Sequence, residues 1–134
     1  MNHADIPSES LRAPVWSAEA EHGVLGAILS DQDAFDAVSS LVSPAAFFRA
    51  EHRSIYAAVQ ALRMAGKTAD PRLVHQALVD GGNDCASLAY MTAMVDSIPS
   101  ARHARRYAEV VAEKAAQRAL LAAADETVEV ARAA

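Results

Sequence analysis

A single cysteine, five glycines, five prolines and an aromatic content of only 5% leave few ways to build this chain of 134 residues. One thiol, Cys85, excludes an internal disulfide and has no second cysteine with which to bind zinc, so a buried structural thiol in a reducing compartment is the expected role. No run approaches the ~18 consecutive apolar residues of a membrane span, and no basic region precedes an apolar one at the N-terminus, which points to a soluble cytoplasmic protein. Positive charge is also short, with 12 Lys and Arg against 17 Asp and Glu, a net charge of -5 and a pI near 5.4. Binding duplex DNA needs a concentrated basic surface, and here Arg102, Arg105 and Arg106 cluster only locally, as one helix face.

What is abundant is alanine and aliphatic side chain, 52% hydrophobic in all, enough for one core of small and branched residues between close helices. The spacing of those residues predicts an all-α domain, with a compact head of about five to six short helices and a long C-terminal helix. Residues 1–16, with Pro7 and Pro14 and no periodicity, read as a flexible arm that Trp16 tacks down; 17–99 form the head and 100–134 the long helix. Ser17 caps a first helix whose Glu19 and Glu21 complement its dipole and whose Val24, Leu25, Ile28 and Leu29 form a stripe ending near Asp31. Asp33 opens a second helix containing Phe35, Val38, Leu41 and Val42, and Ser43-Pro44 starts a further turn carrying Phe47 and Phe48.

A third helix spans about 51–65, buries Ile55, Tyr56, Val59 and Leu62, and stops at Gly66. Asp70-Pro71 begin a fourth, with Leu73, Val74, Ala77 and Leu78 inward and Gly81-Gly82 at its end. A fifth runs from about Asp84 to Asp96 with Leu88, Met91, Met94 and Val95 apolar, and Pro99 breaks it. From Ser100 onward there is neither Gly nor Pro. A helix of roughly thirty residues extends about 45 Å, further than so small a head reaches, and its stripe of Tyr107, Val110, Val111, Leu121 and Val128 is expected to remain partly unpartnered. Tyr107, Val111, Leu121 and Val128 are the residues expected to carry self-association, with Ala104, Ala108, Ala115 and Ala122 permitting close approach.

Motifs of chemistry fail on inspection. Ala61 to Thr68, ALRMAGKT, ends like a phosphate-binding loop, but the required first glycine is Ala61 and no strand precedes it. Glu19 and His22 have the Glu-x-x-His spacing of di-iron bundles without a second copy, so a solvated helix face is expected. His3, His52, His75 and His103 sit in unrelated segments with no ligand spacing, and neither Cys85 nor any serine has a nucleophile elbow around it. Two short helices within 70–95 could mimic a helix-turn-helix, yet SLAYMTAMVD lacks the side chains that reach base edges. Neither a catalytic residue, a metal ligand nor a cofactor site is expected in this chain.

SAEAEHGVLGAIL at 17–29, AFF and H-x-x-I-Y within 46–56, Gly66 and Asp70, V-x-x-x-L at 74–78, AYM at 89–91, IPSA at 98–101 and YAEVVAEKAAQR at 107–118 follow one another in a telling order. In order and spacing they resemble the N-terminal domain of DnaB-type replicative DNA helicases. Ala86 and Ser87 replace the family's usual Gly-Gly and should make the start of the fifth helix more regular, and His103 and Ala104 replace its Asn-Ala, which points to a divergent phage, plasmid or accessory branch. The resemblance implies that the long helix is the first arm of a hairpin, and that the arms pair into a hexameric collar built as a trimer of dimers. It further implies a domain of a longer protein whose missing RecA-like motor binds ATP and Mg and moves 5′ to 3′ on single-stranded DNA. By the same resemblance primase is expected to dock on the collar, with a helicase loader as a further expected partner. The alternative is a helicase-binding adaptor domain of a primase or loader.

Overall fold

The computed structural model describes residues 13–98 and 100–134. Most of the expected arm, including His3 and Pro7, and the break at Pro99 lie outside the described residues. The first helix, α1 (Ala18–Ser30), begins where Ser17 Oγ accepts a hydrogen bond from the Ala20 N–H at 3.0 Å. It ends at Asp31, whose own side chain accepts from the Asp33 N–H and caps α2 (Gln32–Val38). α2 therefore starts and stops earlier than periodicity suggested. Leu41 and Val42 follow it in a turn, and the Val42 N–H still reaches the Val38 carbonyl, which keeps Val42 buried.

A 3₁₀ turn (Pro44–Ala46) leads into α3 (Ala50–Met64), and Ser43 makes no side-chain cap bond there. Gly66 takes φ of 73° after α3, a backbone state in which a Cβ is strained. Asp70 Oδ1 accepts from the Leu73 N–H at 2.8 Å and Pro71 occupies the first position of α4 (Pro71–Asp80). Leu73 is exposed, because Val74 and Leu78 alone point inward from this short helix.

The beginning of α5 (Leu88–Ser97) corrects the expected start at Asp84. Asn83 Oδ1 accepts from the Cys85 N–H in a side-chain-closed turn, Ala86 is buried, and Ser87 Oγ caps the helix through the Tyr90 N–H. Absence of glycine did not extend the helix, since the serine that replaces it competes for the backbone and becomes the cap. Cys85 lies in that turn and is exposed rather than a buried thiol. Ser100 Oγ then accepts from the Arg102 N–H, a 3₁₀ turn (Ala101–His103) follows, and α6 (Ala104–Ala133) runs unbroken.

Six α-helices and no strand make up the described residues. Helix α1 is the central element, packed against α2, α3, α5 and α6, with nine of its thirteen residues buried. Glycine makes this possible: a Cβ at Gly23 would meet the Tyr107 ring of α6 at 2.6 Å, and one at Gly26 would meet the Met94 carbonyl oxygen of α5 at 2.6 Å. Leu25, Ile28, Phe47, Ile55, Tyr56 and Met91 fill the space between the helices. The Tyr56 hydroxyl donates to the Val42 carbonyl at 2.9 Å, and burial pushes its pKa up to about 12.

A polar chain crosses this apolar core. Glu21, only 2% exposed, accepts from the Phe48 N–H at 2.8 Å and stands 2.7 Å from Nδ1 of His52, which is 1% exposed. His52 Nε2 lies 2.7 Å from the Tyr90 hydroxyl, and His22 Nε2 lies 3.2 Å from the same hydroxyl. Glu21 thus lies in the first turn of α1 as expected and is in addition a buried anchor. His22 is half-buried, so only Glu19 of the Glu-x-x-His pair sits on the solvated face expected for both. Removing one member of a buried pair strands the other without its partner, a loss of about 3–5 kcal/mol. His52→Leu should lower unfolding stability in urea by about that amount, and a loss under ~1 kcal/mol, the value of an exposed pair, would contradict the buried assignment.

Candidate interaction surface

Helix α6 is two structures in series. From Ala104 to Val111 it is seated in the head, where Ala104 and Ala108 are buried against it and let the helix approach closely. Tyr107 covers Gly23, and Val111 is 2% exposed. From Ala119 onward every residue is exposed. The four positions expected to carry self-association are therefore split. Tyr107 and Val111 are taken up inside the chain, because the stripe that serves the core at one end of α6 runs on to the free end. Leu121 and Val128, 53% and 51% exposed, stand free, with Leu120 and Val130 exposed beside them.

Arg118 marks the boundary. Its guanidinium donates to the Val15 carbonyl at 2.8 Å and to the Ala46 carbonyl at 2.7 Å, and lies 5.5 Å over the Phe48 ring. Trp16 packs on the other side of this junction, 5.1 Å from Phe48 between ring centroids. Trp16 is thus packed on the head just before α1, while most of the arm it was expected to tack down lies outside the described residues. Beyond the clamp an open groove of about 730 Å3 lies between Pro14, Val15 and the free part of α6, with Leu121, Ala122, Asp125 and Val128 along it. Glu129 and Arg132 also line it, so it is an open surface of mixed polarity rather than an enclosed apolar ligand pocket.

The other candidates dissolve in place. Gly66-Lys67-Thr68 closes α3, with the Lys67 N–H donating to the Leu62 carbonyl. Arg105 and Arg106 both pair with Glu109, at 3.8 and 3.1 Å, which offsets one of the cluster's three charges. Among the described residues no group of three or more His, Cys, Asp or Glu side chains could hold a metal ion, and no helix is long and apolar enough to cross a membrane. His52 and His22, read as unrelated in sequence, meet through Tyr90 with ring centroids 5.2 Å apart. The Glu-x-x-His spacing pointed at His22, whereas nothing in the spacing joins Glu21 to a histidine 31 positions away.

The family model of the DnaB-like helicase N-terminal domain matches residues 13–113. The chain belongs to this family. It is 30% identical over 123 residues to the replicative DNA helicase DnaB of Treponema pallidum, covering 86% of this chain and 27% of that protein. Identity is 32% over 114 residues to the replicative DNA helicase DnaB of Geobacillus stearothermophilus, 84% of this chain and 25% of that protein. It is also 32% over 112 residues to the replicative DNA helicase DnaC of Bacillus subtilis, 82% and 25%. The chain thus spans about a quarter of the length of these curated relatives. The crystal structure of the N-terminal domain of DnaB helicase from Mycobacterium tuberculosis superposes with a TM-score of 0.87 at 32% identity, covering 90% of this chain and 87% of that one.

In DnaB N-terminal domain terms, the segment from Ser17 to Tyr56 that resembles the family holds the two glycines and the Glu21–His52 pair on which the head is built. Separate substitutions on α6 tell its two parts apart. Val111→Asp places a charge in the core and should unfold the head, a loss of more than about 4 kcal/mol. Leu121→Asp should change stability by less than about 0.5 kcal/mol in circular-dichroism melts of dilute protein, as surface substitutions do. Equal losses for the two would contradict the division.

Proposed function

We propose that this DnaB-like N-terminal domain is a non-catalytic assembly and docking unit of a replicative DNA helicase. The observation that carries the reading is the free part of α6, an unbroken helix that leaves the head behind Arg118 and offers Leu120, Leu121, Val128 and Val130 to solvent. An isolated alanine-rich helix of about fifteen residues is marginal in water, so a partner helix along this face supplies the stability that the head does not. Two such arms bury apolar surface worth about 25 cal/mol per Å2 between subunits. In this reading α6 is the first arm of a hairpin, arms pair into dimers, and three dimers make a hexameric collar.

Catalysis then belongs to a RecA-like motor in the parent protein, which binds ATP and Mg and translocates 5′ to 3′ on single-stranded DNA. The collar presents the docking platform for primase, with a helicase loader as a second client. Support for this assignment comes from family membership and from relatives that are replicative DNA helicases. The acidic net charge fits a domain that meets proteins rather than nucleic acid.

Light scattering at several concentrations tests the assembly role. The chain should show a mass above its monomer value of 14.2 kDa as concentration rises, and Leu121→Asp with Val128→Asp should return it to that value without loss of helicity. A wild-type chain that stays monomeric throughout, or a double variant of unchanged mass, would sink the proposal.

A further inference from the structure

The polar chain in the core has a property that packing alone does not explain. Its donors and acceptors balance with neither histidine charged: His22 Nε2–H donates to the Tyr90 oxygen, Tyr90 O–H donates to His52 Nε2, and His52 Nδ1–H donates to Glu21. They balance again with one added proton, on His22 in that same direction, or on His52 with the Tyr90 hydroxyl reversed to donate to His22. With both histidines charged they cannot balance. Both Nε2–H groups then aim at the Tyr90 oxygen, its O–H loses its acceptor, and two cations face one buried carboxylate.

We propose that Glu21, His52, Tyr90 and His22 form a proton-operated latch, which holds α5 against α1 and α3 until a second proton enters the pair of histidines. The groups converge from every element around the hydroxyl. Helix α1 supplies Glu21 and His22, the start of α3 supplies His52 and Glu51, with Arg49 just before it, and α5 supplies Tyr90. Arg49 and Glu51 are joined at 2.5 Å and largely cancel, and α6 places Tyr107 beside His22 on Gly23. The proton enters at His22, the half-buried member, while His52 and Glu21 are sealed. Opening has a direct mechanical route outward, because α1 carries His22 next to the glycine on which Tyr107 of α6 rests.

Burial first, and then the charge of His52, hold the His22 pKa below its ordinary value, with Glu21 opposing them. A lowered folded value makes the unfolded chain the better proton acceptor. The stability tied to His22 is therefore full above about pH 6.5, the ordinary histidine value, and is lost as pH falls from there through the folded value.

Urea unfolding of the whole chain between about pH 7.5 and 5, with NMR titration of the histidine ring protons, tests the latch. In the wild type stability should fall below about pH 6.5 as the His22 ring takes up its proton. His22→Gln keeps a polar partner for Tyr90 but takes no proton, and should abolish most of that fall. A variant that loses stability in parallel with the wild type would overturn the proposal. Should His22→Gln fail to fold, Tyr90→Phe decides: a fall in stability below about pH 6.5 much smaller than that of the wild type supports the latch, and an unchanged fall refutes it.

Discussion

Two glycines one helical turn apart set the spacing of everything else in the head. A methyl group at Gly23 would enter the Tyr107 ring and one at Gly26 would enter the Met94 carbonyl oxygen, so α6 and α5 approach α1 more closely than any other residue allows. Helix α1 can then be buried on most of its surface while remaining only thirteen residues long. In a chain poor in aromatic bulk, close backbone approach substitutes for large side chains as the means of excluding water. The alanines of α6, Ala104 and Ala108, continue the same solution on the facing helix.

Close packing of smooth helices leaves their relative rotation weakly specified, and the Glu21–His52–Tyr90 chain answers that need. It fixes one residue of α1, one of α3 and one of α5 at hydrogen-bond distance, and the Phe48 N–H ties the preceding turn to the same carboxylate. The cost of burying a carboxylate is offset only because each of its oxygens has a donor. The same full satisfaction leaves room for one added proton and none for a second. A structural device and a sensing device are here one set of atoms.

Most of the helical head could be read from its punctuation. Ser17 and Asp70 each cap the helix that begins after them, and Gly66 takes the left-handed turn that ends α3, because capping and backbone sterics are local properties. The misreadings came from competition between neighbours. Asp31 rather than Asp33 caps α2, and Asn83 closes a turn that delays α5 to Ser87, where two polar residues each offered a plausible start. The polar chain was illegible since Glu21, His52 and Tyr90 share no spacing, and only the three-helix arrangement brings them together. Periodicity likewise gives the stripe on α6 but not which partner covers it, so Val111 and Leu121 looked alike in sequence and differ completely in burial.

That difference between the seated and the free part of α6 is the centre of the account, linking a head held by α1 to an arm that stands clear of it. Amide hydrogen exchange measured along α6 at low and high protein concentration addresses it residue by residue. Protection at Ala104 to Val111 should be high and independent of concentration, since the head supplies it, whereas the amides from Ala119 to Ala133 should exchange rapidly when dilute and slow markedly as subunits associate. Uniform protection along the whole helix at every concentration would contradict the account.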